Sequence, residues 1–118
     1  MGMTHVELTI KNPANPKITE TGNFLVDSGA SFTVLPKDFV DKLKLCPNFK
    51  REFTLADGKK VARQIGSASI KYGSDEIVTP VVLGKKGDNP LLGAITLESF
   101  GLLLDPFQRK LYKSTMMM

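Results

Sequence analysis

One short segment of the chain places a carboxylate between two apolar stretches. Phe, Leu and Val occupy positions 24–26, Asp27, Ser28 and Gly29 follow, and a second apolar run begins at position 32. Burying a charge is costly unless it gains a partner or its pKa shifts, and that cost is usually tolerated at functional sites. Ser28 can donate a hydroxyl hydrogen bond, and Gly29 lets main chain pass close by. Asp27 is therefore the first candidate for acid–base chemistry.

Other residues offer weaker chemistry. Ser31 lacks the Gly-x-Ser-x-Gly surroundings of an activated nucleophile, and the single histidine, His5, lies near the amino terminus on an alternating stretch that predicts a surface position. One histidine and one cysteine do not fit ordinary zinc-site spacing, so we expect no metal and no cofactor. Cys46 follows an apolar helical pattern and is expected to be a small core residue. For Asp27 the alternative interpretation is an ordinary turn between strands.

Composition restricts the class of protein. The 118 residues suffice for one domain, residues 1–118, whose ends (1–3 and 113–118) we expect to be disordered. The apolar stretches are too short to cross a bilayer, and the amino terminus does not resemble a signal peptide. A single cysteine fits a reducing compartment, so the expected location is the cytoplasm. The net charge is +4, but the basic residues are scattered, which argues against a nucleic-acid partner.

The elements that must position Asp27 are mostly strands. Residues 6–10 alternate between apolar and polar, and residues 84–90 form a polar loop between apolar segments. An Asp-Gly pair at positions 57 and 58 predicts the tip of a hairpin. The remaining pattern predicts strands at 18–26, 32–35, 53–55, 61–65, 67–72, 77–83, 102–106 and 110–112, and helices at 37–45 and 96–100. Many short strands with two small helices indicate a mostly β, barrel-like domain.

Taken in order, these motifs resemble the single-domain, retropepsin-like (retroviral-type) aspartic proteases of the cellular and prokaryotic kind. The resemblance rests on the Asp27 turn, the hairpin after it, and the apolar-apolar-Gly sequence at positions 91–93. It implies the acid protease fold, a closed β-barrel assembled as a two-fold homodimer. It also implies three groups of site residues besides the catalytic Asp27: turn support from Ser28, Gly29 and Ala30, a substrate-binding flap at Ala56, Asp57, Gly58 and Lys59, and a structural loop under the site at Leu92 and Gly93.

An aspartic protease needs two carboxylates on one water molecule, one as base and the other as acid. The sequence contains one Asp-Ser-Gly turn, so a second copy of the chain must supply the other carboxylate. The hypothesis is therefore a homodimeric endopeptidase that acts on peptides or proteins and is inactive as a monomer. Many relatives in this family have Gly-x-Asp after the two apolar residues. In this chain Gly93 is followed by Ala94 and Ile95, so the acidic residue is absent. A non-catalytic dimerisation or peptide-binding module of the same fold is the alternative.

Overall fold

The computed structural model describes residues 3–114. In chain order its elements are β1 (His5–Asn12), β2 (Asn15–Val26), β3 (Thr33–Leu35), α1 (Lys37–Leu43), β4 (Pro47–Thr54), β5 (Lys60–Tyr72), β6 (Asp75–Leu83), β7 (Leu91–Leu92), α2 (Ala94–Phe100), β8 (Leu102–Asp105) and β9 (Lys110–Lys113). Strands therefore dominate the described residues, which confirms the prediction of a mostly β chain with two short helices.

Seven strands form one sheet in the order β1-β2-β7-β3-β6-β5-β4, and β1 also pairs with β5. The pairings thus run in a circuit from β1 through β2, β7, β3, β6 and β5 back to β1. Most neighbours are antiparallel, but β2 with β7 and β3 with β6 are parallel. Strands β8 and β9 form a separate two-stranded sheet. A fully closed barrel stays a prediction.

The core lies between the sheet and the two helices. Alternation in β1 points Leu8 and Ile10 inward, and both are fully buried. Helix α1 buries Phe39 and Leu43, which lie on one face because they are four positions apart. The ring of Phe39 meets Phe24 of β2 edge to face, with centroids 5.7 Å apart. This packing holds β2 in position, and with it Asp27, which directly follows the last residue of β2.

Three local expectations were wrong. Helix α1 ends at Leu43 instead of residue 45, because Lys44 takes a left-handed conformation with φ of 54°. Cys46 is exposed and is not a core residue, since the chain passes directly into β4, the outer strand of the sheet. By contrast, His5 is exposed as expected. The predicted strands at 61–65 and 67–72 are one strand, because β5 continues through Gly66 without a break. A Cβ at Gly66 would lie 2.8 Å from the carbonyl oxygen of Cys46, so the glycine allows the close approach of the two backbones.

The expected disorder of the chain ends falls mainly on residues 1, 2 and 115–118, which lie outside the described residues. Lys113 ends β9, and the Ser114 N–H donates to the carbonyl oxygen of Gly101 at 2.8 Å. From residue 3 to residue 114, no helix combines the length and the apolar character needed to cross a bilayer.

Candidate active site

Asp27 lies at the carboxyl end of β2, in a turn held by its own side chain. Its Oδ1 accepts the Gly29 N–H at 2.9 Å, and its carbonyl oxygen accepts the Ala30 N–H at 3.2 Å. The Asp27 N–H donates to the carbonyl oxygen of Leu92 at 3.0 Å, which extends the β2–β7 pairing by one residue. Asp27 is half-buried. Its carboxylate is therefore fixed in direction while remaining within reach of a ligand.

The amino end of α2 supports the same turn from the other side. The Ala94 N–H donates to the carbonyl oxygen of Ala30 at 2.7 Å, and the Ile95 N–H donates to that of Ser31 at 3.0 Å. The first amides of a helix have no partner within the helix, so here the turn carbonyls accept them. The turn that carries Asp27 is consequently bonded to two separate parts of the chain.

Gly93 links β7 to α2 directly beneath the turn. A Cβ at this position would lie 2.4 Å from the carbonyl oxygen of Phe32, closer than any side chain allows. Leu92, the residue before it, is fully buried. The structure therefore places the predicted loop of Leu92 and Gly93 under the turn, and the glycine is needed for close approach of backbone.

A buried hydroxyl pair joins the turn to α2, and the sequence analysis missed it. The side chains of Thr33 and Thr96 lie 2.6 Å apart at their Oγ1 atoms, and both residues are fully buried. Thr33 Oγ1 also accepts the Gly93 N–H at 3.1 Å. The only sequence signal was a threonine within each of two apolar segments, which does not reveal that the two segments meet.

The predicted flap is a hairpin formed by β4 and β5. The Gly58 N–H donates to the carbonyl oxygen of Leu55, and the Leu55 N–H donates to that of Lys59. Asp57 Oδ1 accepts the Lys59 N–H at 2.9 Å. Gly58 has φ of 87°, whereas among the described residues Lys44 and Arg109 are the only non-glycine residues with positive φ. The tip is thus a three-residue loop with one left-handed glycine, not a two-residue turn of type I′.

The hairpin contacts the segment that leaves the Asp27 turn. Phe53 of β4 packs edge to face on Phe32, with ring centroids 6.0 Å apart. The guanidinium of Arg51 lies 5.9 Å from the centroid of the same Phe32 ring. Aromatic and cation–π contacts of this kind contribute on the order of 1 kcal/mol each. Residues next to the hairpin loop are therefore held against the residue that leaves the turn.

A cavity of about 540 Å³ lies between the hairpin and the Asp27 turn. Its apolar wall is formed by Phe32, Val34, Phe53, Leu55, Val61, Val82 and Leu91. The rest of its lining consists of Gly29, Ala30, Ser31, Thr54, Arg63, Gly87, Asp88 and Asn89. Of the predicted site residues, Gly29 and Ala30 thus line the cavity. The hairpin residues Ala56, Asp57, Gly58 and Lys59 are exposed and do not line it.

A charged pair interrupts the apolar wall. Arg63 of β5 binds Asp88 of the loop at residues 84–90 through two hydrogen bonds, Nε to Oδ2 at 2.7 Å and Nη2 to Oδ1 at 3.0 Å. The Lys85 N–H also donates to Asp88 Oδ2 at 2.8 Å. The bonds from Arg63, and secondarily the one from Lys85, hold the pKa of Asp88 below its ordinary value. The same pairing raises the pKa of Arg63.

The sequence profile of the family described as "gag-polyprotein putative aspartyl protease" matches residues 19–99, which include the Asp27 turn, the hairpin and most of α2. The chain therefore belongs to that family, and it is a retropepsin-like aspartic protease by family and fold. No curated protein sequence matches the chain.

Two solved structures share the architecture. The EIAV protease in complex with the inhibitor HBY-793 superposes with a TM-score of 0.64 at 20% identity, covering 85% of this chain and 89% of that one. A retropepsin-like aspartic protease from Rickettsia conorii gives a TM-score of 0.57 at 26% identity, covering 88% of this chain and 85% of that one. The first of these likenesses concerns the fold alone, and the second agrees with the family assignment.

Proposed function

We propose that the protein is a homodimeric aspartic endopeptidase whose catalytic dyad consists of Asp27 and the same residue of a second copy. The observation that carries the proposal is the Asp27 turn, which is bonded from below by Leu92 and the first amides of α2 and borders a peptide-sized cavity. Asp27 itself does not line the cavity, but it lies two residues before Gly29, which lines it together with Ala30. A carboxylate oriented this firmly next to the lining of an apolar cavity suits general acid–base catalysis. Family membership supports the same chemistry.

The mechanism follows from the chemistry of two close carboxylates. Two like charges at short range repel each other, so the pair would hold one proton between its two carboxylates. The ionised member takes a proton from the attacking water, while the protonated member donates to the carbonyl oxygen of the scissile bond. The hydrogen bond from the Gly29 N–H to Asp27 Oδ1 would keep each carboxylate in place during this exchange.

Dimerisation is needed because the sequence carries one such turn. The hairpin of β8 and β9 offers a surface for it: Leu103, Phe107 and Tyr112 are exposed there, and Phe107 is 95% exposed. Within the described residues β8 and β9 pair only with each other, so the hairpin also presents strand edges. We propose that a second copy covers this hairpin across a two-fold axis, with the Asp27 turns facing one another.

The β4–β5 hairpin is proposed to close over a bound peptide and exclude water. Its stem already contacts Phe32 through Phe53, and its tip is exposed and free to meet a ligand. Lys59 and Lys60 lie at or next to the tip. Their positive charge would favour peptides with acidic residues near the cleaved bond. The proposed location is the cytoplasm, in line with the single cysteine.

The test is cleavage of a peptide library at acidic pH by the wild-type protein and by Asp27→Asn. In a homodimer Asp27→Asn replaces both carboxylates of the dyad. Loss of a catalytic group costs several orders of magnitude in turnover, so the variant should be inactive while folding and dimerising normally. Asp38→Asn, the same chemical change at an exposed residue of α1, is the control and should retain wild-type turnover. Near-normal cleavage by Asp27→Asn would place the active site elsewhere. Sedimentation of an actively cleaving protein as a monomer would refute the shared dyad.

A further inference from the structure

Among the residues that the structure describes, the Arg63–Asp88 pair is the one charged feature of an otherwise largely apolar cavity wall. The aspartic protease chemistry proposed above makes no use of it. The exposed fractions of the two side chains are 18% and 21%, so water screens the pair only in part. The pair joins two different elements, because Arg63 lies in the flap strand β5 and Asp88 in the loop at residues 84–90. A charge in this position meets whatever fills the cavity.

The two charges are fully matched to each other. Asp88 accepts three hydrogen bonds, two from Arg63 and one from the Lys85 N–H. Arg63 directs a further N–H, on Nη1, to the carbonyl oxygen of Ala62 at 2.9 Å. Planar, bidentate pairing of guanidinium and carboxylate fixes both side chains and leaves little free charge for a third group. This part of the wall is therefore polar in composition but close to neutral in its electrostatic effect.

The pair also anchors the loop that carries Asn89 and Leu91 into the cavity. The Asp88 N–H donates to the carbonyl oxygen of Lys85 at 2.9 Å, so the loop is closed by its own turn and tied to β5 through Arg63. Loss of the pair would release that tie and expose one charge at the same time. These two effects can be separated experimentally, because only the second depends on the charge of the ligand.

We propose that Arg63 and Asp88 are specificity-determining residues of the peptide-binding cavity, which by neutralising each other make one subsite indifferent to side-chain charge. The proposal rests on the peptide-binding function given above. Either residue alone would impose a charge preference on the peptide. An unpaired Arg63 would attract an acidic side chain, and an unpaired Asp88 would attract a basic one. Opposite preferences from two neighbouring substitutions are the signature of the proposed role.

The experiment measures peptide binding by fluorescence anisotropy in the Asp27→Asn background, so that no peptide is consumed. Labelled peptides are identical except for one position, scanned along the peptide, that carries Asp, Lys or Leu. Asp88→Asn should shift the ratio of affinities for the Asp and Lys peptides about fivefold toward Asp, at one position of the scan. Arg63→Met should shift it by a similar factor toward Lys. The double variant should restore the parental ratio, and added salt should reduce both shifts.

Glu76→Gln is the control, because it breaks the Lys11–Glu76 pair, whose side chains are 25% and 39% exposed and do not line the cavity. It should leave the ratio unchanged. If Asp88→Asn does not fold, Asp88→Ala leaves the same guanidinium unpaired and tests the same shift. Equal weakening of all three peptides by both single variants would show a purely structural role and overturn the proposal.

Failure of the subsite proposal and failure of the endopeptidase proposal give different results. Charge-dependent binding together with a wild-type protein that cleaves nothing would sustain the subsite and refute the endopeptidase. Cleavage by the wild type, without opposite shifts of the affinity ratio in the Asp88 and Arg63 variants, would support the endopeptidase and refute the subsite. A protein that binds none of the peptides would overturn the subsite outright.

Discussion

Replacing Thr33 by valine should destabilise the protein more than its small change in shape suggests. Valine has the same outline as threonine but no hydroxyl, so the substitution opens no cavity. It removes the acceptor of the Gly93 N–H and the partner of the Thr96 hydroxyl, both of which are buried. A buried polar group left without a partner costs about 1–3 kcal/mol. Two such groups give an expected loss of about 2–6 kcal/mol.

The two threonines should also show strong coupling. Thr96→Val removes one bond and leaves Thr33 still accepting from Gly93, so about 1–2 kcal/mol is expected. Thr33→Val/Thr96→Val leaves only the Gly93 N–H unpaired and should therefore cost no more than Thr33→Val alone. The double-mutant cycle then gives a coupling of at least about 1–2 kcal/mol, the full cost of Thr96→Val.

Thr79 supplies the matched control. It is buried, and its Oγ1 has no hydrogen-bond partner among the described residues. Thr79→Val should consequently be neutral or stabilising, since it removes an unsatisfied hydroxyl at constant volume.

The assay is urea denaturation at one fixed protein concentration, because association would make the midpoint concentration-dependent. With slopes of about 1–3 kcal/mol per molar urea, the expected loss for Thr33→Val moves the midpoint by about 1 M or more. Losses below about 0.5 kcal/mol for both Thr33→Val and Thr96→Val, or a Thr79→Val loss equal to theirs, would refute the hydrogen-bond argument.

Three further predictions concern the hairpin and the cavity wall. Gly58→Val forces a β-branched residue to a φ of 87°, so turnover and peptide affinity should fall together, whereas circular dichroism of the folded core should not change. Lys59→Glu/Lys60→Glu should weaken the binding of acidic peptides more than that of neutral ones at low salt. Equal effects on the binding of both kinds of peptide would show that the tip does not meet the peptide. Asp88→Asn tests how the stability depends on pH. Folding lowers the pKa of Asp88, chiefly through the hydrogen bonds from Arg63, so the pair stabilises the folded state fully above the unfolded pKa of about 3.9. This stabilisation is lost as the pH falls through the lower pKa of the folded state. The gap in unfolding free energy between wild type and Asp88→Asn should therefore stay constant above about pH 5 and close below about pH 4; a gap that grows on acidification would contradict the sign.

Local signals in the sequence were enough to locate the carboxylate and its immediate support. Apolar residues before Asp27 and the glycine after it predict the turn, the Asp-Gly pair predicts the hairpin, and two short apolar stripes predict the helices. Each of these signals lies within one element. The hairpin lies where the Asp-Gly pair predicts it, and Gly58 at its tip has a positive φ.

The parts that could not be predicted depend on which distant segments meet. Nothing in the local sequence pairs Thr33 with Thr96 or Arg63 with Asp88, and the pairing of β1 with β5 leaves no periodic signal of its own. The exposure of Cys46 also depends on its place in the sheet and could not be predicted from its neighbours in sequence. Its neighbours are apolar, yet it is exposed because β4 lies at the outer edge of the sheet.

The long-range bonds around the Asp27 turn have a consequence for synthesis. Thr33 and Gly93 are 60 positions apart in sequence, so during translation Asp27 leaves the ribosome well before the strand and helix that hold its turn. A nascent chain that ends before Leu91 has the carboxylate and the Gly29 N–H, but it lacks the Leu92 carbonyl and the first amides of α2, which hold the turn in place. On the proposed function, each new copy would therefore be unable to attack neighbouring polypeptides until nearly the whole domain has emerged, because the topology delays activity without a separate inhibitor.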